Sequence, residues 1–175
     1  LHNDPKTCAQ MHNDKHCVKM ILEYAQLLST AHRILDGVPT VSVGASGRRS
    51  TRYHLSDIRD STLYTATHAN HPSAIWVRES IENYNWLVEH FHALMNEYTY
   101  RYEKKHKCAG DLAFVLSSPP MNLKEYDWTT MPSCMDQKYI IGDDPIINYR
   151  NYYKIGKKHI HSWKKRQPPH WILGE

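Results

Sequence analysis

At 175 residues, 41% of them apolar and 23% charged, the chain can bury a core and is not of disordered composition. It has neither a charged-then-apolar leader nor an apolar run of about 20 residues, so secretion and membrane spanning are not expected. The formal charge of +4 is uneven: residues 150–175 carry a net +6 and the rest −2, a local footprint for a polyanion.

Taken in order, Asp4-Pro5 predicts a helix start, a capping carboxylate before a first-turn proline, and a short helix through Cys8, Ala9 and Met11. Asp14 is a candidate cap for the main helix, Asp14 to about Arg33, which Asp36-Gly37 and Pro39 end. Residues 37–56 have no sustained period and carry Arg48, Arg49 and Arg52; they read as an exposed, mobile basic loop or a weak hairpin. Asp57–Thr67 reads as a short helix. Pro72 then opens a long one to about Glu103, whose apolar set, including Trp76, Val77, Tyr84, Leu87, Phe91 and Leu94, can pack along the main helix. Residues 104–143 are irregular, a wrapping loop region with a helical turn or two at Asp111–Leu116. Asp144-Pro145 starts a last helix toward Trp163, and residues 164–175 form a basic aromatic tail. The expected fold is all-α, mostly helical, a single domain over 1–175 with about three main helices and long loops.

The main helix has two faces. Cys17, Met20, Ile21, Tyr24, Leu28, Ala31 and Leu35 form an apolar stripe, and His12, His16, Lys19, Glu23, Gln26, Thr30 and Arg33 recur opposite it. Imidazole, amine and carboxylate in successive turns can move protons or form a Schiff base at an aldehyde-like carbon. The bland alternative is a solvated face in which Lys19 and Glu23 form an i,i+4 pair in the weaker orientation, which adds a few tenths of a kcal/mol at most.

Other patterns bound the chemistry. His68 and His71 at i,i+3, with His12, His16 and Glu23, could form a nitrogen and oxygen set for zinc or iron, but no HExxH or paired ExxH is present. Tyr149, Tyr152, Tyr153 and Trp163 interleave with Arg150, Lys154, Lys157, Lys158, Lys164, Lys165 and Arg166, which suits base stacking with phosphate contact. The same tyrosines could instead be half core. There is no Walker loop, GxGxxG or GxSxG. Cys8, Cys17, Cys108 and Cys134 show no CxxC spacing; with Cys17 on the apolar stripe they read as free thiols in a reducing, cytoplasmic setting, that of the host cell for a phage protein. The chain opens on Leu1 rather than Met, which points to processing or to a start elsewhere.

Three places together resemble the phage-type pyrimidine-dimer DNA glycosylases of the endonuclease V type. They are Asp14-x-His16 followed by Glu23, Asn70-His71-Pro72 before the second long helix, and YRNYYKIG at Tyr149–Gly156. The run from His12 to Arg33 also resembles a group of uncharacterised phage proteins. The resemblance implies a DNA-repair enzyme, a glycosylase and abasic-site lyase, in which Glu23 is catalytic, His16 contacts the sugar or phosphate, and the nucleophilic amine is the amino terminus or Lys19. At two positions beside the catalytic glutamate where that family carries arginine, this chain has Leu22 and Gln26. The expected partner is double-stranded DNA, held by Arg48, Arg49, Arg52 and the basic residues from Arg150 to Arg166, with a monomer as the default and no metal or cofactor. The alternatives are a metal-dependent hydrolase built on the histidines and a non-catalytic phage DNA-binding protein.

Overall fold

A computed structural model describes residues 1–47 and 49–174. Two long helices set the frame. Helix α2 (Asp14–Asp36) lies against α5 (Ile81–Tyr102), with α1 (Pro5–Met11) packed on α5 and α4 (Pro72–Val77) on α2. The apolar stripe of α2 explains this: Cys17, Ile21, Leu28 and Ala31 are buried and meet Tyr84, Leu87, Phe91 and Leu94 in the main core. The fold is mostly helical, and the strands described are β1 (Val38–Val43) and β2 (Arg49–His54), an antiparallel hairpin in which Val38 faces His54 and Val43 faces Arg49.

Caps fix the helix starts. Asp4 accepts from Thr7 N at 2.7 Å, with Pro5 in the first turn, as the sequence predicts. The cap of α2 is Asn13, accepting from His16 N at 2.9 Å, and not Asp14. Asp14 instead binds distant parts of the chain, accepting from Arg101 Nη1 at 3.0 Å, Ser162 Oγ at 2.6 Å and Lys164 N at 2.9 Å.

The long helix expected from Pro72 to Glu103 is broken. Helix α4 ends at Val77, and Ser80 caps α5 by accepting from Asn83 N at 3.1 Å. A serine oxygen aimed at the amide three residues ahead offers the backbone a new start in place of continuation. The segment 57–67 holds only α3 (Arg59–Thr62), and past its end the Leu63 and Tyr64 carbonyls accept from Arg33 instead of continuing a helix. Arg33, expected on a solvated stripe, is buried; it donates to Asp60, to Tyr53 O at 2.9 Å and to Leu63 O at 2.9 Å. Residues 104–143 contain α6 (Asp111–Leu116) and a 3-10 turn at Gln137–Tyr139. The last long helix, α7 (Pro145–Gly156), stops seven residues short of Trp163, followed by a 3-10 turn at Lys158–Ile160 and α8 (His170–Leu173). Trp163 Nε1 donates to Met11 O at 3.1 Å, so the chain after α7 is held against α1. A second, smaller core of Leu1, Cys8, Tyr153 and Trp171 joins the two ends of the chain. Among the described residues, no helix is long and apolar enough to cross a membrane.

Candidate active site

Between α2, α5 and α7 lies a cleft of about 560 Å³. His16, Lys19, Glu23 and Gln26 of the polar stripe line it together, so this face of α2 forms one wall of an open cleft. The aromatic rings of Trp76, Trp86 and Tyr149 line it too, and Lys157 adds a cation at its edge. Leu1 is buried in the same wall; its carbonyl accepts from Arg150 Nε at 2.9 Å.

Lys19 Nζ is 2.8 Å from Glu23 Oε1, with the lysine side chain 63% exposed. The hydrogen bond to Glu23 raises the Lys19 pKa above its ordinary value, so the amine is held protonated. His16 faces a chain of polar groups. Its Nδ1 is 2.5 Å from the Tyr153 hydroxyl, which is 2.8 Å from His12 Nδ1; His12 Nε2 is 3.2 Å from His90 Nε2, and His90 Nδ1 is 2.9 Å from Pro5 O. Burial pushes His12 down to about 4 and His16 to about 3, the latter with help from His12, Lys157 and Lys19, so both rings are neutral.

With one proton on each of the three rings, a single pattern satisfies every contact. The Pro5 carbonyl can only accept, so His90 carries its proton on Nδ1 and accepts at Nε2 from His12 Nε2–H. His12 Nδ1 then accepts from the Tyr153 hydroxyl, and the Tyr153 oxygen accepts from His16 Nδ1–H. His16 Nε2 is left as a lone pair, a base in a site that also holds an amine and a carboxylate.

Sequence reasoning did not single out Cys8 or His90. Cys8 sits on the short α1, and His90 sits 78 positions from His12 within an apolar stretch of α5. Among the described residues, the His/Cys/Asp/Glu set whose ligand atoms converge is Cys8, His12 and His90, all buried, with those atoms within 4.8 Å of one another. The set proposed from sequence does not come together in that way. His71 Nδ1 accepts from Ser73 N at 3.2 Å as the cap of α4, and His68 Nδ1 meets Thr67 Oγ1 at 2.8 Å.

The basic residues divide by their partners. Arg49 and Arg52 are exposed on the hairpin, Lys154 is exposed on α7 and Lys158 in the turn after it, and Arg48 lies outside the described residues. Lys157 lies over the Tyr152 ring, 4.7 Å from its centroid. By contrast, Arg150 sits over Trp171, and Arg166 grips Glu97 through Nε at 3.0 Å and Nη2 at 2.8 Å. Lys165 is 2.5 Å from Glu103, and Lys164 lies 5.3 Å from the Tyr102 ring centroid.

A family model described as pyrimidine dimer DNA glycosylase matches residues 1–110. That segment contains every helix from α1 to α5 and the cleft residues His16, Lys19, Glu23 and His90. No curated protein and no solved structure matches the chain.

Proposed function

The chain belongs to the pyrimidine dimer DNA glycosylase family, and from that premise we propose that it excises the damaged base from duplex DNA and cleaves the resulting abasic site. The observation that carries this reading is the convergence of Glu23, Lys19 and His16 on one cleft large enough for an unstacked nucleotide. An amine attacks C1′ of the deoxyribose, the glycosidic bond breaks and the base leaves with the electron pair. The nitrogen then gives up a proton, the C1′–O4′ ring bond breaks with O4′ taking a proton, and the C1′–nitrogen bond becomes a protonated imine. A base then removes a proton from C2′, the C3′–oxygen bond breaks, and the phosphate leaves.

Glu23 suits two duties: its carboxylate opposes the positive charge that develops at C1′, and it accepts a proton during elimination. His16, with Nε2 free, supports contact to the sugar or phosphate beside it. Two nitrogens on the cleft qualify as nucleophile. Lys19 Nζ needs Glu23 to take its proton first, because the ion pair holds it protonated. The family resemblance adds an amino-terminal amine as the other, and Leu1 lies buried in the cleft wall.

Duplex DNA would lie across the cleft mouth, with phosphates on Lys154, Lys157 and Lys158 and on the hairpin arginines Arg49 and Arg52. Flipping a nucleotide or kinking the duplex costs a few kcal/mol, which these contacts offset. Arg150 and Arg166 contribute chiefly to the fold in this reading, since their partners, the Leu1 carbonyl and Glu97, are buried.

The test is borohydride reduction in the presence of duplex carrying an abasic site or a thymine dimer. The expected result is a covalent protein–DNA adduct, mapped by peptide digestion to Lys19 or to the amino-terminal peptide. Absence of an adduct, with DNA bound, overturns the amine mechanism.

A further inference from the structure

We propose that Cys8, His12 and His90 form a binding site for a zinc-class divalent metal ion at the floor of the cleft. Several independent features point to it. Both imidazoles aim Nε2 at one place, 3.2 Å apart. A tetrahedral ion with metal–nitrogen bonds of about 2.0–2.1 Å sets two such nitrogens roughly 3.3 Å apart. The third donor, Cys8 Sγ, lies within 4.8 Å of both. One thiolate with two imidazoles is a borderline-soft set that suits zinc and excludes calcium or magnesium, which take oxygen ligands.

The supports are those a metal site requires. A ligating imidazole is oriented by what its other nitrogen holds. Here His90 Nδ1 is fixed by Pro5 O at 2.9 Å and His12 Nδ1 by the Tyr153 hydroxyl at 2.8 Å. Cys8 is on α1, His12 is the extended residue that ends it, and His90 is in the middle of α5, so two of the three donors stand on helices. All three side chains are buried, and all three line the cleft.

Binding has a consequence for the proton chain. A bound ion requires Cys8 as a thiolate, and both Nε2 atoms must offer lone pairs. His12 therefore carries its proton on Nδ1 and donates to the Tyr153 oxygen. Tyr153 donates to His16 Nδ1, and the His16 proton moves to Nε2. The histidine on the catalytic stripe changes from acceptor to donor, with no net change in protons on the three rings and the phenol. This inference does not rest on the glycosylase reading: metal content is read without DNA.

The experiment is zinc analysis of the full-length protein purified from zinc-supplemented medium, together with cobalt(II) titration of the metal-stripped protein. One equivalent of zinc is expected, and cobalt should give intense thiolate charge-transfer absorption with tetrahedral d–d bands. Cys8→Ser and His90→Gln should abolish the charge-transfer band or the stoichiometric uptake, while Cys134→Ser keeps both. Tyr153→Phe, which removes only the hydroxyl behind His12, should weaken zinc by about 10–100-fold. Folding of each variant is checked by circular dichroism. Should the two ligand variants fail to fold, the wild-type zinc and cobalt results and Tyr153→Phe decide alone. Wild-type protein that takes up no stoichiometric zinc and gives no thiolate band overturns the site and leaves a hydrogen-bonded histidine pair only. Equal zinc affinity in wild type and a folded Cys8→Ser overturns it as well.

Discussion

Arg101 Nη1 donates to Asp14 Oδ1 at 3.0 Å, tying the end of α5 to the first turn of α2. The guanidinium is fully buried and also holds Glu97 Oε1 at 2.7 Å and the Gln10 carbonyl at 3.0 Å. Cutting a buried ion pair on one side leaves an uncompensated charge, a loss of about 3–5 kcal/mol. Arg101→Met is expected to lower the unfolding free energy by that amount, seen as a lower denaturant midpoint with an unchanged m-value. A stability within about 0.5 kcal/mol of wild type would show that the carboxylates find solvent when the cation is gone.

His32 predicts a pH effect on stability. It is buried, its Nε2 is 2.8 Å from the Tyr84 hydroxyl, and Nδ1 is 3.1 Å from Arg59 Nη1. The Tyr84 hydroxyl donates to Leu116 O at 2.9 Å, so it accepts from His32 Nε2–H, and Nδ1 accepts from Arg59. Burial, then the Arg59 charge, push the ring down to about 4 against the opposing pull of Asp36 and Asp57. The unfolded ring titrates near 6.5. Between those values the unfolded chain binds the extra proton, so this contribution is full above pH 6.5 and is lost as pH falls toward 4. The loss is roughly 3 kcal/mol at most. The stability difference between wild type and His32→Gln should shrink over that window in urea titrations. A difference independent of pH from 7 to about 4 would contradict the assignment of a neutral ring.

DNA affinity should be salt-dependent through the lysines of α7 and the turn after it. Replacing Lys154, Lys157 and Lys158 with Gln is expected to weaken binding and to reduce the slope of log K against log salt by about 0.9 for each phosphate no longer neutralised. Arg166→Gln should instead destabilise the fold, because its charge already holds Glu97. An unchanged slope in the triple variant would put the duplex elsewhere on the surface.

Much of this was legible in the residues, and the failures share a cause. Period 3.6 identified the stripe of Cys17, Ile21, Leu28 and Ala31 because burial against α5 demands it. The same periodicity placed His16, Lys19 and Glu23 on one line, although it could not tell a cleft wall from a wet surface. Arg33, Glu97 and Arg101 look like solvated helix charges, and most of their partners lie tens of residues away, so their burial leaves little local trace. The break at Arg78–Ser80 depends on one serine side chain bonding Asn83, inside a pattern that otherwise stays helical. Cys8 and His90 were missed because no spacing rule connects α1 with α5. The basic tail reads as a free polycation in composition, while in space Arg150, Lys165 and Arg166 are engaged by the body.

Lys19 and Glu23 stand 2.8 Å apart with side chains 63% and 38% exposed, so their pair adds little to folding. Lys19→Met is expected to change unfolding free energy by less than about 0.5 kcal/mol. A larger loss in a thermal melt would show that the lysine stem supports the cleft wall.

The most direct measurement is strand cleavage by Glu23→Gln on duplexes carrying a thymine dimer or an abasic site, with thermal unfolding of the same preparation. The substitution keeps the shape of the side chain and removes its charge. Cleavage is predicted to fall by roughly 10²–10⁴-fold, while stability stays within about 0.5 kcal/mol. Cleavage at the wild-type rate by the folded variant would contradict the catalytic assignment of Glu23.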